Sequence, residues 1–285
     1  VTTFRLGPFP VARVGYGAMQ LTGPGVFGPP ASSDDAIAVL RTAVEIGVNH
    51  IDTAEYYGPR VVNELIREAL HPYPDGLAIV SKVGARRDDA GAVLPYDEPD
   101  ELRRGIEDNL RTLRVDRLAA VNLRLMDDSP PDGRFDAQLA AMVTARDEGL
   151  IAGIGLSNVS LAHLRRALAV AEIVCVQNSF SLLDRASMPV LQECARRGIA
   201  FVPYVPLGWP RDRREAIFNN PAVNRLARRH QATPAQIALA WLLALSPNVL
   251  LIPGTASLRH LRENLAVDRI ELDRDATNQL DSAFA

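Results

Sequence analysis

Three residues early in the chain could together move a proton to a carbonyl oxygen. Asp52 and Tyr57 lie in the run Asp52-Thr53-Ala54-Glu55-Tyr56-Tyr57-Gly58, and Lys82 follows Ser81. A lysine cation beside a phenol favours the phenolate and lowers the phenol's pKa. A carboxylate beside that lysine keeps it charged and in place. Acid, phenol and amine so arranged form a proton-donating apparatus for a carbonyl. Any one of them alone reads as a solvated charge or a loop aromatic, so the grouping depends on what the fold brings together.

Eight short apolar runs supply that fold: Gly15–Met19, Asn49–Thr53, Ala78–Lys82, Leu118–Leu123, Gly153–Ser157, Ile173–Gln177, Ala200–Tyr204 and Val249–Ile252. Helix-like stretches lie between them at Asp34–Ile46, Val61–Leu70, Asp100–Leu113, Arg134–Glu148, Leu161–Ala169, Met188–Arg197 and Pro234–Leu245. Ser33-Asp34 reads as a cap for the first helix and Gly47 as its end, and Thr233-Pro234 reads as a cap with proline in the first turn. Strands separated by helices imply a parallel sheet, and eight is the number that closes a barrel filled by side chains. No GxGxxG run follows an early strand, which weakens the competing doubly wound open sheet. The expected fold is α/β, a (β/α)8 TIM barrel over residues 1–285 as one domain, with Thr3–Val14 as an N-terminal hairpin under the barrel floor.

In such a barrel the functional residues sit at the C-terminal strand ends. Here those ends are polar: Gln20, Asp52, Lys82, Asn122 with Arg124, Ser157-Asn158, Gln177-Asn178, Tyr204 and Gly254-Thr255. Strand alternation puts His50 and Asp52 on one face and Asn122 and Arg124 on one face. Polar groups at all these tips point to one shared pocket. The Gly/Pro-rich loop Pro24–Pro30 reads as a flap over it. Arg211–Arg214 reads as a solvated loop, and His163 and His230 as surface helix residues.

Composition excludes other roles. A net charge of −3 gives no basic excess for nucleic acid. Two cysteines, Cys175 and Cys194, form no disulfide framework and have no metal-type spacing, so a reducing cytoplasm and no bound metal are expected. No apolar stretch reaches membrane-spanning length. No coiled-coil heptad or exposed apolar stripe is evident, so a monomer or weak oligomer is expected.

As a set, these motifs resemble the aldo-keto reductases. The resemblance is carried by His50-Ile51-Asp52-Thr53-Ala54-Glu55-Tyr56-Tyr57-Gly58, Ser81-Lys82, Gly155-Leu156-Ser157-Asn158, Val176-Gln177-Asn178, Tyr204-Val205-Pro206-Leu207-Gly208 and Ile252-Pro253-Gly254. It spans nearly the whole chain in order. It implies a TIM barrel that binds NADPH without a Rossmann domain and reduces an aldehyde or ketone to an alcohol by hydride transfer. By position, Tyr57 would give the proton, Lys82 would lower its pKa and Asp52 would pair with Lys82. Ser157, Asn158 and Gln177 would hold the nicotinamide carboxamide, and Tyr204 would stack on its ring. Met19, Gln20, Asp52, Pro206, Leu207, Gly208 and Gly254 would complete the cofactor site. Ser257, Arg259 and His260 would meet the 2′-phosphate, and Glu263 and Asn264 the adenine. Ala256 stands where family members often carry a basic residue.

One departure is clear. Most members have a histidine at the end of the fourth barrel strand, where Leu118-Ala119-Ala120-Val121-Asn122-Leu123-Arg124 places Arg124. Asn122 and Arg124 could both donate hydrogen bonds to a carbonyl or an anionic substrate group. Alternatively Arg124 turns outward and pairs with Asp127 or Asp128. The Val-Asn-Leu-Arg and Ile-Pro-Gly-Thr patterns resemble a bacterial branch that includes pyridoxal reductases, which makes pyridoxal or another aromatic aldehyde the expected substrate. Two other readings stay open: an NADPH-binding, redox-sensing subunit with little turnover, and a barrel aldolase or lyase using Lys82 in a Schiff base.

Overall fold

The computed structural model describes residues 2–285. A hairpin of β1 (Thr3–Leu6) and β2 (Phe9–Ala12) precedes β3 (Tyr16–Gly17), β4 (His50–Asp52), β5 (Ala78–Arg87), β6 (Val93–Tyr96), β7 (Ala120–Arg124), β8 (Ile154–Ser157), β9 (Ile173–Ser179) and β10 (Ala200–Tyr204). β3, β4, β5, β7, β8, β9 and β10 are neighbours in that order, every pairing parallel. Among the described residues the eighth apolar run, Val249–Ile252, makes two isolated bridges, one toward each edge of this sheet. Val249 pairs with Phe201 and Leu251 with Val14, both in parallel. Those bridges close the sheet into a (β/α)8 barrel.

The helices are α1 (Ser33–Glu45), α2 (Val61–Leu70), α3 (Pro99–Leu113), α4 (Gly133–Asp147), α5 (Leu161–Leu168), α6 (Met188–Arg197), α7 (Arg211–Phe218), α8 (Pro221–Arg229), α9 (Pro234–Leu245), α10 (Leu258–Leu265) and α11 (Arg274–Ala283). Their starts have local causes. Thr233 and Gln236 form a reciprocal capping box at α9 with Pro234 in the first turn, and Glu98 and Glu101 do the same at α3 beside Pro99. Ser32, one residue before the expected cap, accepts from the Asp35 amide at α1.

Two apolar layers hold the barrel. The outer one packs helices on strands and contains Ile51, Val121, Leu156, Val176, Phe201 and Trp241. The inner one fills the barrel with small side chains: Ala78, Val80, Ala120, Cys175, Ala200, Val202 and Leu250. Leu6 and Val11 join this inner layer from the hairpin, which therefore plugs the floor.

Three local expectations are corrected. Residues 211–214 open α7 instead of forming a loop, with Ile217 buried as its anchor. The strand expected to end at Lys82 runs on to Arg87 as β5, and the chain folds back as the antiparallel arm β6. His163 is buried, not solvated: its ring meets the Ser160 hydroxyl at 2.8 Å in a capping box and packs on Phe135.

Candidate active site

β4 and β5 are adjacent, and their register sets Asp52 opposite Val80, with Lys82 one inward step further along. Lys82 Nζ donates to Asp52 Oδ1 at 2.5 Å and to the Thr53 carbonyl at 3.0 Å. Gln177 Nε2 reaches across the barrel to Asp52 Oδ2 at 2.9 Å. Both carboxylate oxygens are thus taken, and all three side chains are buried. Tyr57 lies over this group, with Lys82 Nζ 5.0 Å from its ring centroid.

Burial works against the Lys82 ammonium, but Asp52 and the phenols of Tyr57 and Tyr56 outweigh it, so its pKa is raised. Burial raises the Tyr57 pKa. The Lys82 cation lowers it by charge and by hydrogen bonding, while Tyr56 and Asp52 add to the rise. The net shift is upward, so burial overrides the expected lowering by lysine. Tyr57 is therefore a protonated phenol beside a permanent cation. That is the state a proton donor needs, with the cation ready to stabilise the phenolate left behind.

The Tyr57 loop is fixed by its neighbours. Gly58 has φ +76°, and its amide donates to the Val26 carbonyl at 3.3 Å. A Cβ on Gly58 would come within 2.8 Å of Val61 Cβ and 3.0 Å of the Gly28 carbonyl oxygen. The Pro24–Pro30 segment thus rests on the loop that carries Tyr57.

Behind the strands lies a buried amide network that sequence reasoning missed. Thr53 donates to Asn63, Asn63 to Asn109 and Thr112, and Ser81 to Asn109, all within 2.6–3.0 Å. Thr53 and Ser81 flank Asp52 and Lys82 in sequence. The network therefore ties the backs of β4 and β5 to α2 and α3. Its signal was present: Asn63 and Asn109 stand among the apolar positions of amphipathic helices, where a polar side chain needs partners.

His50 lies below Asp52 inside the barrel, wholly buried, with no hydrogen-bond partner for Nδ1 among the described residues. Burial lowers its pKa from 6.5 to about 4, Asp52 working against the shift and Lys82 with it. The folded value lies below the unfolded one, so the unfolded chain binds the proton first as pH falls. The stability His50 contributes is full above pH 6.5 and is lost between pH 6.5 and 4. Between pH 7.5 and pH 5 the loss from this residue is about 2 kcal/mol. Urea unfolding at the two pH values should show His50→Gln losing less stability than the wild type by about this amount. An unchanged pH dependence would rule out His50 as the source.

Two further tip residues part company. Asn122 is buried a layer below the mouth, where its Oδ1 accepts from Cys175 Sγ at 3.3 Å and Nδ2 has no partner among the described residues. The missing side chain of Gly155 makes that room, since a Cβ there would lie 2.1 Å from Asn122 Oδ1. Arg124 stands a layer higher and is half-buried. Its Nη1 donates to Tyr56 Oη at 3.4 Å, and its Cζ lies 5.9 Å from the Tyr56 ring. Tyr56 packs edge-on against Tyr57 with centroids 5.3 Å apart. The outward pairing of Arg124 with Asp127 or Asp128 does not occur.

The remaining tips line the other side of the mouth. Ser157 pairs in register with Arg124 and Gln177. Asn158, in the left-handed region at φ +59°, donates to the Leu125 carbonyl at 3.1 Å and accepts from the Tyr204 hydroxyl at 2.6 Å. That bond pins the Tyr204 ring at the edge of the opening. Gly17 and Gly254 let the first and last staves meet, since a Cβ on Gly254 would lie 2.5 Å from the Gly17 carbonyl oxygen. Met19 and Gln20 follow in a short 3-10 turn. Pro206, Leu207 and Gly208 form the half-buried loop after β10. Ser257 caps α10, whose exposed first turn carries Arg259 and His260. Arg259 pairs with Glu263 at 2.8 Å, and Asn264 is half-buried one residue on.

The chain as a whole is similar to known proteins. Over 98% of its length, and 97% of that protein, it is 48% identical to pyridoxine 4-dehydrogenase from Escherichia coli. Its fold superposes at a TM-score of 0.84 on a thermostable aldo-keto reductase crystallised with the inhibitor epalrestat, at 31% identity, covering 99% of this chain and 100% of that one. An aldo-keto reductase from Klebsiella pneumoniae in complex with NADPH gives 0.83 at 27% identity, covering 99% and 95%. The family model for aldo/keto reductases matches residues 13–285, and the chain belongs to the aldo/keto reductase family.

Proposed function

We propose that the protein reduces an aromatic aldehyde to its alcohol with NADPH, and that pyridoxal is such an aldehyde. The observation that carries this reading is the buried cluster of Tyr57, Lys82, Asp52 and Gln177 at the barrel mouth. When bound, the nicotinamide supplies the hydride. Tyr57 then gives its proton to the carbonyl oxygen, Lys82 stabilises the phenolate, and Asp52 holds Lys82 charged and in place.

The residues present fit the cofactor. Ser157 Oγ makes no hydrogen bond among the described residues, and with Asn158 and Gln177 it lines one edge of the opening, suited to an amide group. The pinned ring of Tyr204 offers a flat face. Arg259 and His260 stand exposed beside the Ser257 cap, where a helix start favours an anion. They support NADPH over NADH. The similarity to a pyridoxine 4-dehydrogenase supports the aldehyde. The Schiff-base reading is disfavoured by the raised pKa of Lys82, because a permanent ammonium is no nucleophile.

Steady-state turnover tests the proposal. Pyridoxal should consume NADPH in step with alcohol formation, with kcat/KM for NADPH about tenfold or more above that for NADH, as one charged hydrogen bond allows. NADPH binding without turnover of any aldehyde in a broad panel would instead favour the redox-sensing subunit.

A further inference from the structure

Arg124 is a half-buried cation at the barrel mouth that has no carboxylate partner among the described residues. Asp127 accepts from the Ser129 amide at 2.9 Å, and both Asp127 and Asp128 are exposed to solvent. The neighbours of the guanidinium are phenols instead. One of its donors reaches Tyr56 Oη at a long 3.4 Å, and its charge acts on the hydroxyls of Tyr57 and Tyr204. The Tyr204 hydroxyl donates its hydrogen bond to Asn158 Oδ1 instead. A guanidinium carries five N–H donors in a planar fork, and only one is engaged here.

A desolvated charge is costly without a partner. Side chains this well placed usually find one, and here the open side of Arg124 is the reaction mouth. Its neighbour Tyr57 is the proposed proton donor, so an anion held by Arg124 would lie beside the reacting carbonyl.

We propose that Arg124 binds an ionised oxygen of the substrate on the carbon next to the one bearing the aldehyde, and that Tyr56 positions it. The preferred substrates are then aldehydes with an adjacent phenolate, the pattern of pyridoxal. This rests on the reductase reading above and adds the feature by which the substrate is chosen. It also has a consequence for rate. An adjacent phenolate pushes electron density into the carbonyl and slows hydride attack. A guanidinium on that oxygen withdraws the density again, so Arg124 should act on kcat as well as on KM.

The test compares pyridoxal with its 3-O-methyl ether, which keeps the ring and the aldehyde and replaces the ionised oxygen by a neutral one carrying a methyl group, and with benzaldehyde as a neutral reference. In the wild type, kcat/KM for pyridoxal should exceed that for the ether by about 10–100-fold, the range of a charge-assisted hydrogen bond. In Arg124→Met the ratio should fall to about one. Arg124→Lys should keep part of it, since the charge stays and the fork is lost. Tyr56→Phe should raise KM for pyridoxal more than it lowers kcat. A wild-type ratio near one, or one that Arg124→Met leaves unchanged, overturns the inference while benzaldehyde reduction leaves the reductase reading standing. Absence of turnover with all three aldehydes overturns both.

Discussion

Tyr57→Phe is expected to lower kcat for pyridoxal by about 10²–10⁴-fold, the usual worth of a positioned general acid. The substitution keeps the ring that packs edge-on against Tyr56 and faces Lys82. It removes only the hydroxyl. Stability should therefore change little, and NADPH affinity, read by quenching of cofactor fluorescence, should stay within a few-fold of wild type. Steady-state kinetics with stopped-flow single turnovers would show whether the loss lies in the chemical step. Retention of wild-type kcat would remove Tyr57 from the reaction.

Lys82→Met should damage both activity and fold. Removing the lysine leaves Asp52 buried with one oxygen bonded to Gln177 and the other without its cation. Breaking a buried pair in this way costs about 3–5 kcal/mol. Thermal unfolding should accordingly drop by roughly 10 °C for a chain of this size. The double variant Asp52→Asn/Lys82→Met separates the two effects. Its neutral amide can still accept from Gln177, so most of the stability should return, while reduction stays lost because the Tyr57 phenolate has no cation beside it. If the double variant recovers activity as well, Lys82 is a structural partner only.

Much of this site was legible because a parallel barrel turns sequence position into spatial position. Lys82, Ser157, Gln177 and Tyr204 each end an apolar run and Asp52 is the last residue but one of another, and ends of successive parallel strands share one rim. The barrel itself followed from the count of runs, although its last stave is held by two isolated bridges. Parity was less informative. Asn122 and Arg124 face the same side, yet one layer of barrel depth separates a buried amide from a residue at the mouth. That depth depends on Gly155, on a different strand, leaving room for Asn122. Alternation within one strand cannot reveal a neighbour's missing side chain.

The pKa of Tyr57 illustrates a second limit. Charge pairing could be read from residue types, but the larger effect here is burial, which depends on how the folded chain packs around the phenol, with Tyr56 edge-on against its ring. The amide network of Asn63 and Asn109 escaped notice because its partners are Thr53 and Ser81, whose side chains face away from the mouth. α7 was missed for a related reason. Its first turn is almost wholly charged and exposed, and the apolar residue that anchors it, Ile217, comes late in the segment.

The central claim is that a hydride passes from NADPH to the aldehyde carbon while Tyr57 protonates the oxygen. NADPH carrying deuterium at both C4 positions tests it most directly, with mass spectrometry of the alcohol formed from pyridoxal. The account predicts a single deuterium on the new carbinol carbon. An alcohol without deuterium, or a borohydride-trapped substrate adduct on Lys82, would contradict it.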